Sequence, residues 1–311
     1  MYSSKNKSAV KCLLCTSDVS DVQVETFDYS YETSHEAFWY ALCKRCSSWI
    51  QLTPPVQMFN YYPSNYGNPR SKKRRVMRRL KSQKQRSVLR GIKSQVVGTR
   101  LLDFGCGDSQ LLADARRVGF EIFGTDFDPR LQSNCEKVGG FWIKPDQLSS
   151  YRGTFDVITM LQSVEHVPNP SDELLFLKSL LRPGGVVLIE TPSPDGPDFG
   201  LFERAYWGGF HAPRHYFVPS FVGLALLVTS VGLEVIEHRF IPSPYTWAET
   251  LRARMRHNMV LKSLSRFISL DNPIYLIAIT LYEYSRLIAG GRTSNQRLIA
   301  RLSASGESIS V

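Results

Sequence analysis

From residue 99 onward, short apolar runs alternate with stretches whose apolar residues recur every three or four positions. TRLLDFG, FEIFGTD, FDVITMLQ and VVLIETP are of the first kind and have the length of strands buried on both faces. SQLLADARRVG, PRLQSNCEKVGG and DELLFLKSLLRPGG are of the second kind, and each ends at glycine, a helix stop. Repeated strand–helix alternation predicts a mostly parallel sheet with helices on both faces. A further helix (PSFVGLALLVTSVG), a strand (LEVIEHRF) and a last strand-like run, RLIARL at 297–302, complete an α/β, Rossmann-like fold of seven strands. A helical insertion at about 243–292 separates the last two strands. It reads as a basic stretch followed by the apolar IYLIAITLYEYSRLIAGG.

The front of the chain follows a different pattern. VQVETFDY and FWYAL carry the β-branched and aromatic residues of strands. Around them lie two C-x-x-C units, Cys12–Cys15 and Cys43–Cys46. Four thiolates brought together by two turns make a tetrahedral zinc site. Residues 1–60 are therefore expected to form a small zinc-ribbon-like module. The plainer alternatives are a redox pair or cysteines used as small buried hydrophobes. Residues 61–98 read as linker and basic helix, with Val76, Leu80, Val88 and Ile92 along one face, and 99–311 as the main domain.

Charge sharpens the picture at one place only. The net charge is +10, yet residues 70–93 alone hold twelve Lys or Arg and no acid, which leaves −2 on the rest. Such a segment is either a solvated helix face or a surface for anions: nucleic acid, lipid headgroups or a phosphorylated substrate. It lacks aromatic interleaving and any nucleic-acid motif, which argues against nucleic acid. The hydrophobic fraction of 43% and charged fraction of 21% exclude wholesale disorder. The polar N-terminus has no apolar core of a signal peptide, so a cytoplasmic protein with reduced cysteines is expected. The apolar run near 274–282 is too short to span a bilayer and is compatible with peripheral membrane contact at most. Oligomeric state is not legible.

Chemistry concentrates in two stretches. LLDFGCGDSQ puts Gly105 and Gly107 at the turn from the first strand into the first helix, where glycines let backbone N–H groups approach a ligand. Asp103 precedes that turn, and Asp126 ends the second strand, where a carboxylate accepts hydrogen bonds from ribose hydroxyls. FHAPRHYF, residues 210–217, gathers His211, Arg214 and His215 between aromatics. A metal site, a proton-transfer site, an anion clamp and a packing motif all fit that composition.

The set Leu101–Gly107, Asp126, Phe155-Asp156-Val157-Ile158 and Leu181-Arg182-Pro183-Gly184-Gly185 resembles the class I S-adenosylmethionine-dependent methyltransferases, in the right order and spacing over about 99–240. SVEHVPNP at 163–170, followed by HAPRHYF, resembles the branch holding ubiquinone-type O-methyltransferases and methyltransferases of bacterial polysaccharide gene clusters. The paired C-x-x-C units and YYPSNY resemble sugar methyltransferases with an N-terminal zinc-binding module. The resemblance implies two bound groups, S-adenosyl-L-methionine and a structural zinc ion held by Cys12, Cys15, Cys43 and Cys46.

The same likeness assigns roles. Asp103, Gly105, Cys106 and Gly107 meet the methionine part of the donor, Asp126 the ribose, Phe127 and Asp146 the adenine, and Leu161 and Gln162 line the pocket. A hydroxyl acceptor also needs a general base, for which Glu165, His166, His211 and His215 are the candidates. Arg214, Tyr216, Tyr62 and Tyr66 fall on the substrate side. The function so implied is O-methylation of a sugar or glycoconjugate in polysaccharide biosynthesis, the partner being a small-molecule or glycan acceptor, nucleotide- or lipid-linked. The alternatives are an RNA or protein substrate recruited by the front module, or C-methylation of a nucleotide sugar. The Asn/Asp-Pro-Pro-Tyr/Phe signature of amino-group methylators is absent, Leu-Gln-Ser-Val standing in its place.

Overall fold

The computed structural model describes residues 10–63, 75–258 and 273–303. Tyr66, the start of the basic segment at 70–74 and the middle of the insertion at 259–272 lie outside the described residues.

In the front module, β1 (Val19–Thr26), β2 (Phe38–Cys43) and β3 (Trp49–Gln51) form an antiparallel meander. A basic helix α1 (Arg75–Lys93) follows. Its buried face is Ser82, Gln85, Leu89 and Ile92, not the face that includes Leu80, which is half exposed. The reason is polar. Ser82 Oγ donates to the buried Asp114 at 2.5 Å and Arg86 pairs with the same carboxylate at 3.1 Å, so the helix turns these residues inward.

The main sheet is built from β4 (Arg100–Phe104), α2 (Gln110–Val118), β5 (Glu121–Thr125), α3 (Gln132–Lys137), β6 (Phe141–Trp142), β7 (Phe155–Leu161), α4 (Pro170–Leu180) and β8 (Leu181–Pro192). Then come α5 (Pro197–Leu201), β9 (Phe217–Val218), α6 (Phe221–Ser230), β10 (Glu234–Phe240), α7 (Pro244–His257), α8 (Pro273–Ile288) and β11 (Asn295–Arg301). The order is β10-β11-β8-β7-β4-β5-β6, seven strands. Strands β8, β7, β4, β5 and β6 pair in parallel, and β11 runs antiparallel to both its neighbours. The first six residues of β7 are buried, as a strand covered on both faces requires. Helix α2 stops at Gly119 in the left-handed region, and Ser220 caps α6 by accepting from the Gly223 N–H. LRPGG, expected to end a helix, already belongs to β8, with Leu181 opposite Phe155.

The two sheets are not independent. Strand β9, the end of FHAPRHYF, pairs with β3 through Trp49–Val218 and Ile50–Phe217 and becomes the fourth strand of the front sheet. An aromatic core of Phe38, Tyr40, Trp49, Phe199, Trp207 and Phe210 fills the seam. The loop after β8 is thereby fastened to the module that begins the chain.

Candidate functional site

The two C-x-x-C units of the front module converge on one four-sulfur cluster. Cys12 and Cys46 Sγ lie 3.6 Å apart, Cys15 and Cys43 Sγ 3.5 Å, and all four fall within 4.8 Å of one another. A tetrahedron of sulfurs at a Zn–S distance of about 2.3 Å has edges of about 3.8 Å, so the cluster fits zinc with little adjustment. Cys12 and Cys46 titrate as a pair: the hydrogen bond between the two thiols lowers Cys46 and raises Cys12, so one sulfur of the pair is favoured as thiolate while the other keeps its proton until a metal displaces it. The knuckle is bolted to α6: Ser48 Oγ accepts from the Ser220 N–H at 3.0 Å, and the Ser220 hydroxyl donates to the Cys46 carbonyl.

The turn after β4 forms a cradle. Gly105 and Gly107 both have positive φ, +79° and +48°. A Cβ on Gly105 would meet Ser163 Cβ at 2.8 Å, whereas a Cβ on Gly107 would enter open space, the gap that a close-approaching ligand fills. Asp126 is buried and braces both sides: Oδ2 accepts the Gly107 N–H at 3.0 Å and Oδ1 the Asp128 N–H at 3.1 Å. Asp103 is buried deeper, accepting the Thr159 hydroxyl at 2.6 Å, and desolvation raises its carboxyl to about 7. A cation arriving there would restore its charge. Cys106 turns its sulfur inward against Gly124. Phe127 stands half exposed beside the cradle, 5.1 Å from the ring of Tyr62 and 6.2 Å from that of Phe59. Leu161 is half-buried and Gln162 exposed, with φ +57°, at the end of β7. Asp146 lies on an exposed 3-10 turn after β6.

Behind the end of β7 the histidines gather. The ring centroids of His166 and His215 are 4.6 Å apart, those of His211 and His215 5.1 Å. His166 Nδ1 lies 3.0 Å from the Tyr62 hydroxyl and 3.1 Å from the Arg214 carbonyl. That carbonyl can only accept, so the proton sits on Nδ1 and Nε2 keeps its lone pair. The Gly209 carbonyl, 2.9 Å from Nδ1, fixes His215 in the same tautomer. Its Nε2 faces Glu165 Oε1 at 3.9 Å. Glu165 is fully buried, accepts the Thr191 hydroxyl at 2.9 Å through Oε2, and is raised by desolvation to about 8. Desolvation lowers all three imidazoles, His166 to about 4, so they are neutral at physiological pH.

The family model described as a methyltransferase domain matches residues 68–238, more than half of the chain. The chain belongs to this methyltransferase family. Its donor is S-adenosylmethionine, and the glycine cradle, Asp126 and the cation-ready Asp103 fit that molecule. Curated relatives named ubiquinone biosynthesis O-methyltransferase are similar to it. One from Cereibacter sphaeroides (strain ATCC 17023) is 29% identical over 187 residues, covering 54% of this chain and 74% of the relative. The one from Xanthomonas euvesicatoria pv. vesicatoria is 29% identical over 157 residues, covering 45% and 65%. Among solved structures, a SAM dependent methyltransferase from Archaeoglobus fulgidus aligns over 72% of this chain and 94% of its own at 18% identity, with a TM-score of 0.48.

Within the methyltransferase the substrate-side residues divide. Tyr62 reaches the histidines. Tyr216 contributes its backbone, its N–H donating to the Glu165 carbonyl and its carbonyl accepting from Gln51. Arg214, expected to clamp a substrate anion, is fully buried, and its guanidinium faces Asp28, the Tyr61 carbonyl and the Ala212 carbonyl instead. His211 is half-buried, its Nδ1 3.1 Å from Ser30 Oγ, at the edge of a cleft that Tyr29, Tyr206, Glu249 and Arg252 also line. Asp28, Ser30 and Thr191 carry no sequence signal of these roles, because each acts only through a partner brought from far along the chain.

Proposed function

We propose that the methyltransferase transfers a methyl group to a hydroxyl oxygen of a sugar or glycoconjugate, with His166 taking the hydroxyl proton. Bound S-adenosylmethionine supplies a methyl group already activated as a sulfonium, so little is asked of the protein beyond alignment and proton removal. The observation that carries the reading is His166. It sits at the end of β7 next to Tyr62, which in turn rests against Phe127 on the donor side. Its Nδ1 proton is pinned by the Arg214 carbonyl, leaving Nε2 as the acceptor. His215 and Glu165 lie directly behind it as a second proton-holding pair.

The front module favours a sugar acceptor: its paired C-x-x-C units, which resemble those of sugar methyltransferases with an N-terminal zinc-binding module, assemble into one four-sulfur cluster. A second reading, an acceptor from ubiquinone biosynthesis, is favoured by the relatives named ubiquinone biosynthesis O-methyltransferase. Methyl-labelled donor, offered with nucleotide sugars in one panel and hydroxylated quinone precursors in another, separates the two. Label in a sugar methyl ether supports the first reading, label in a phenolic methyl ether the second, and label on nitrogen or carbon contradicts both.

A further inference from the structure

Helix α8 turns its one acid inward, beside the buried Leu276, and leaves a line of apolar residues outward. Its one acid, Glu283, is fully buried, where the carboxylate accepts the Ser243 N–H at 2.5 Å. Its apolar residues Ile277, Leu281, Tyr284 and Ile288 are exposed, Ile288 by 87%. Their spacing of four, three and four places them in one stripe along the helix. An ordinary surface helix would carry polar groups along such an outward stripe.

The stripe borders a cationic element. Lys84 of α1 sets its Nζ 5.6 Å from the centre of the Tyr284 ring. Leu80, one turn earlier on the same side of α1, adds a further exposed apolar group. Arg79 and Lys81 beside it are exposed, and α1 holds eight Lys or Arg with no acid. No helix among the described residues is long and apolar enough to cross a membrane. The sixteen residues of α8 extend about 24 Å, short of a bilayer core of about 30 Å.

We propose that α8 and the adjoining face of α1 form a docking surface for an anionic lipid bilayer. The apolar stripe enters the headgroup boundary, Tyr284 lies at that level, and the α1 cations meet the lipid phosphates. Charge decides between this occupant and a second copy of the chain. Face-to-face packing of two such surfaces would bring two α1 helices together, cation against cation, whereas an anionic surface complements them.

The test is flotation of the full-length, zinc-loaded protein with vesicles of phosphatidylcholine alone and with about 30 mol% phosphatidylglycerol. Binding should be at least about 10-fold stronger to the anionic vesicles and be lost in about 0.5 M salt. Leu281→Glu and the double variant Arg79→Glu/Lys81→Glu should each lose most of the binding while keeping the donor-induced rise in Tm that reports an intact fold. Failure of the wild-type protein to float with anionic vesicles overturns the proposal, as does full binding by Leu281→Glu. A dimer in sedimentation velocity that Leu281→Glu converts to monomer also overturns it, and assigns the face to a second copy.

Discussion

Asp28 and Arg214 are 186 residues apart in the chain and form a fully buried, two-pronged ion pair, Nη2 to Oδ1 at 2.5 Å and Nη1 to Oδ2 at 3.2 Å. Burial alone would raise the Asp28 carboxyl, but the Arg214 guanidinium and the Thr33 hydroxyl outweigh it and hold the group below its usual range. The pair ties the turn after β1 to the histidine loop. Removing one partner leaves a bare charge in the interior, at a cost of about 3–5 kcal/mol. Asp28→Asn should therefore lower the urea midpoint sharply. The double variant Asp28→Leu/Arg214→Met should recover much of that loss. Because the Asp28 carboxyl is depressed, its contribution is present above the unfolded value and disappears as pH falls through the folded one.

Zinc should be present at about one ion per chain by elemental analysis, and Cys12→Ser should abolish it. The effect should reach the acceptor side. The Ser48–Ser220 contact and the pairing of β3 with β9 carry the knuckle's position to the loop that holds His211 and His215. Turnover should fall in Cys12→Ser while donor affinity, measured by calorimetry, stays within about threefold.

The donor cradle makes a separate prediction. Asp126→Ala removes the carboxylate that accepts from both Gly107 and Asp128. Hydrogen bonds to a charged group contribute roughly 1.5–3 kcal/mol, so donor affinity should drop by at least about 10-fold. Gly105→Ala should be worse, since its φ of +79° disfavours any side chain and the new methyl would stand 2.8 Å from Ser163 Cβ.

Glu165 and His166 respond to pH in opposite senses. Glu165 is raised from 4.5 to about 8, so the folded chain holds a proton that the unfolded chain releases, and stability declines as pH rises through that window. Glu165→Gln should flatten this decline in thermal melts between about pH 5 and 8. His166 is lowered from 6.5 to about 4, so its contribution is intact above the unfolded value and is lost as pH falls toward 4. A turnover profile without the inflection near 6.5 of an ordinary histidine is the expected signature.

The sheet and the glycine turn after β4 were legible because their signals are local. The glycines of LLDFGCGDSQ, the acid ending β5 and the apolar runs each lie within a few residues of what they specify. The acceptor side was not, because its geometry is made by distance. Tyr62 meets His166 across 104 positions, and β9 has two residues, too few to show a strand's period. FHAPRHYF advertised Arg214 as an anion binder, since nothing nearby in sequence announces Asp28. Helix α1 misled for a similar reason: its apolar positions allow a face through Leu80, but buried Asp114 selects the face carrying Ser82 and Arg86.

In the proposed mechanism His166 removes the acceptor's proton while the donor is held separately by the turn after β4. Transfer from methyl-labelled S-adenosylmethionine to a hydroxyl acceptor, measured in single turnover alongside donor affinity in His166→Ala, tests it most directly. The rate should fall by about 10²–10⁴-fold with donor affinity nearly unchanged. Full-rate transfer by His166→Ala would contradict it.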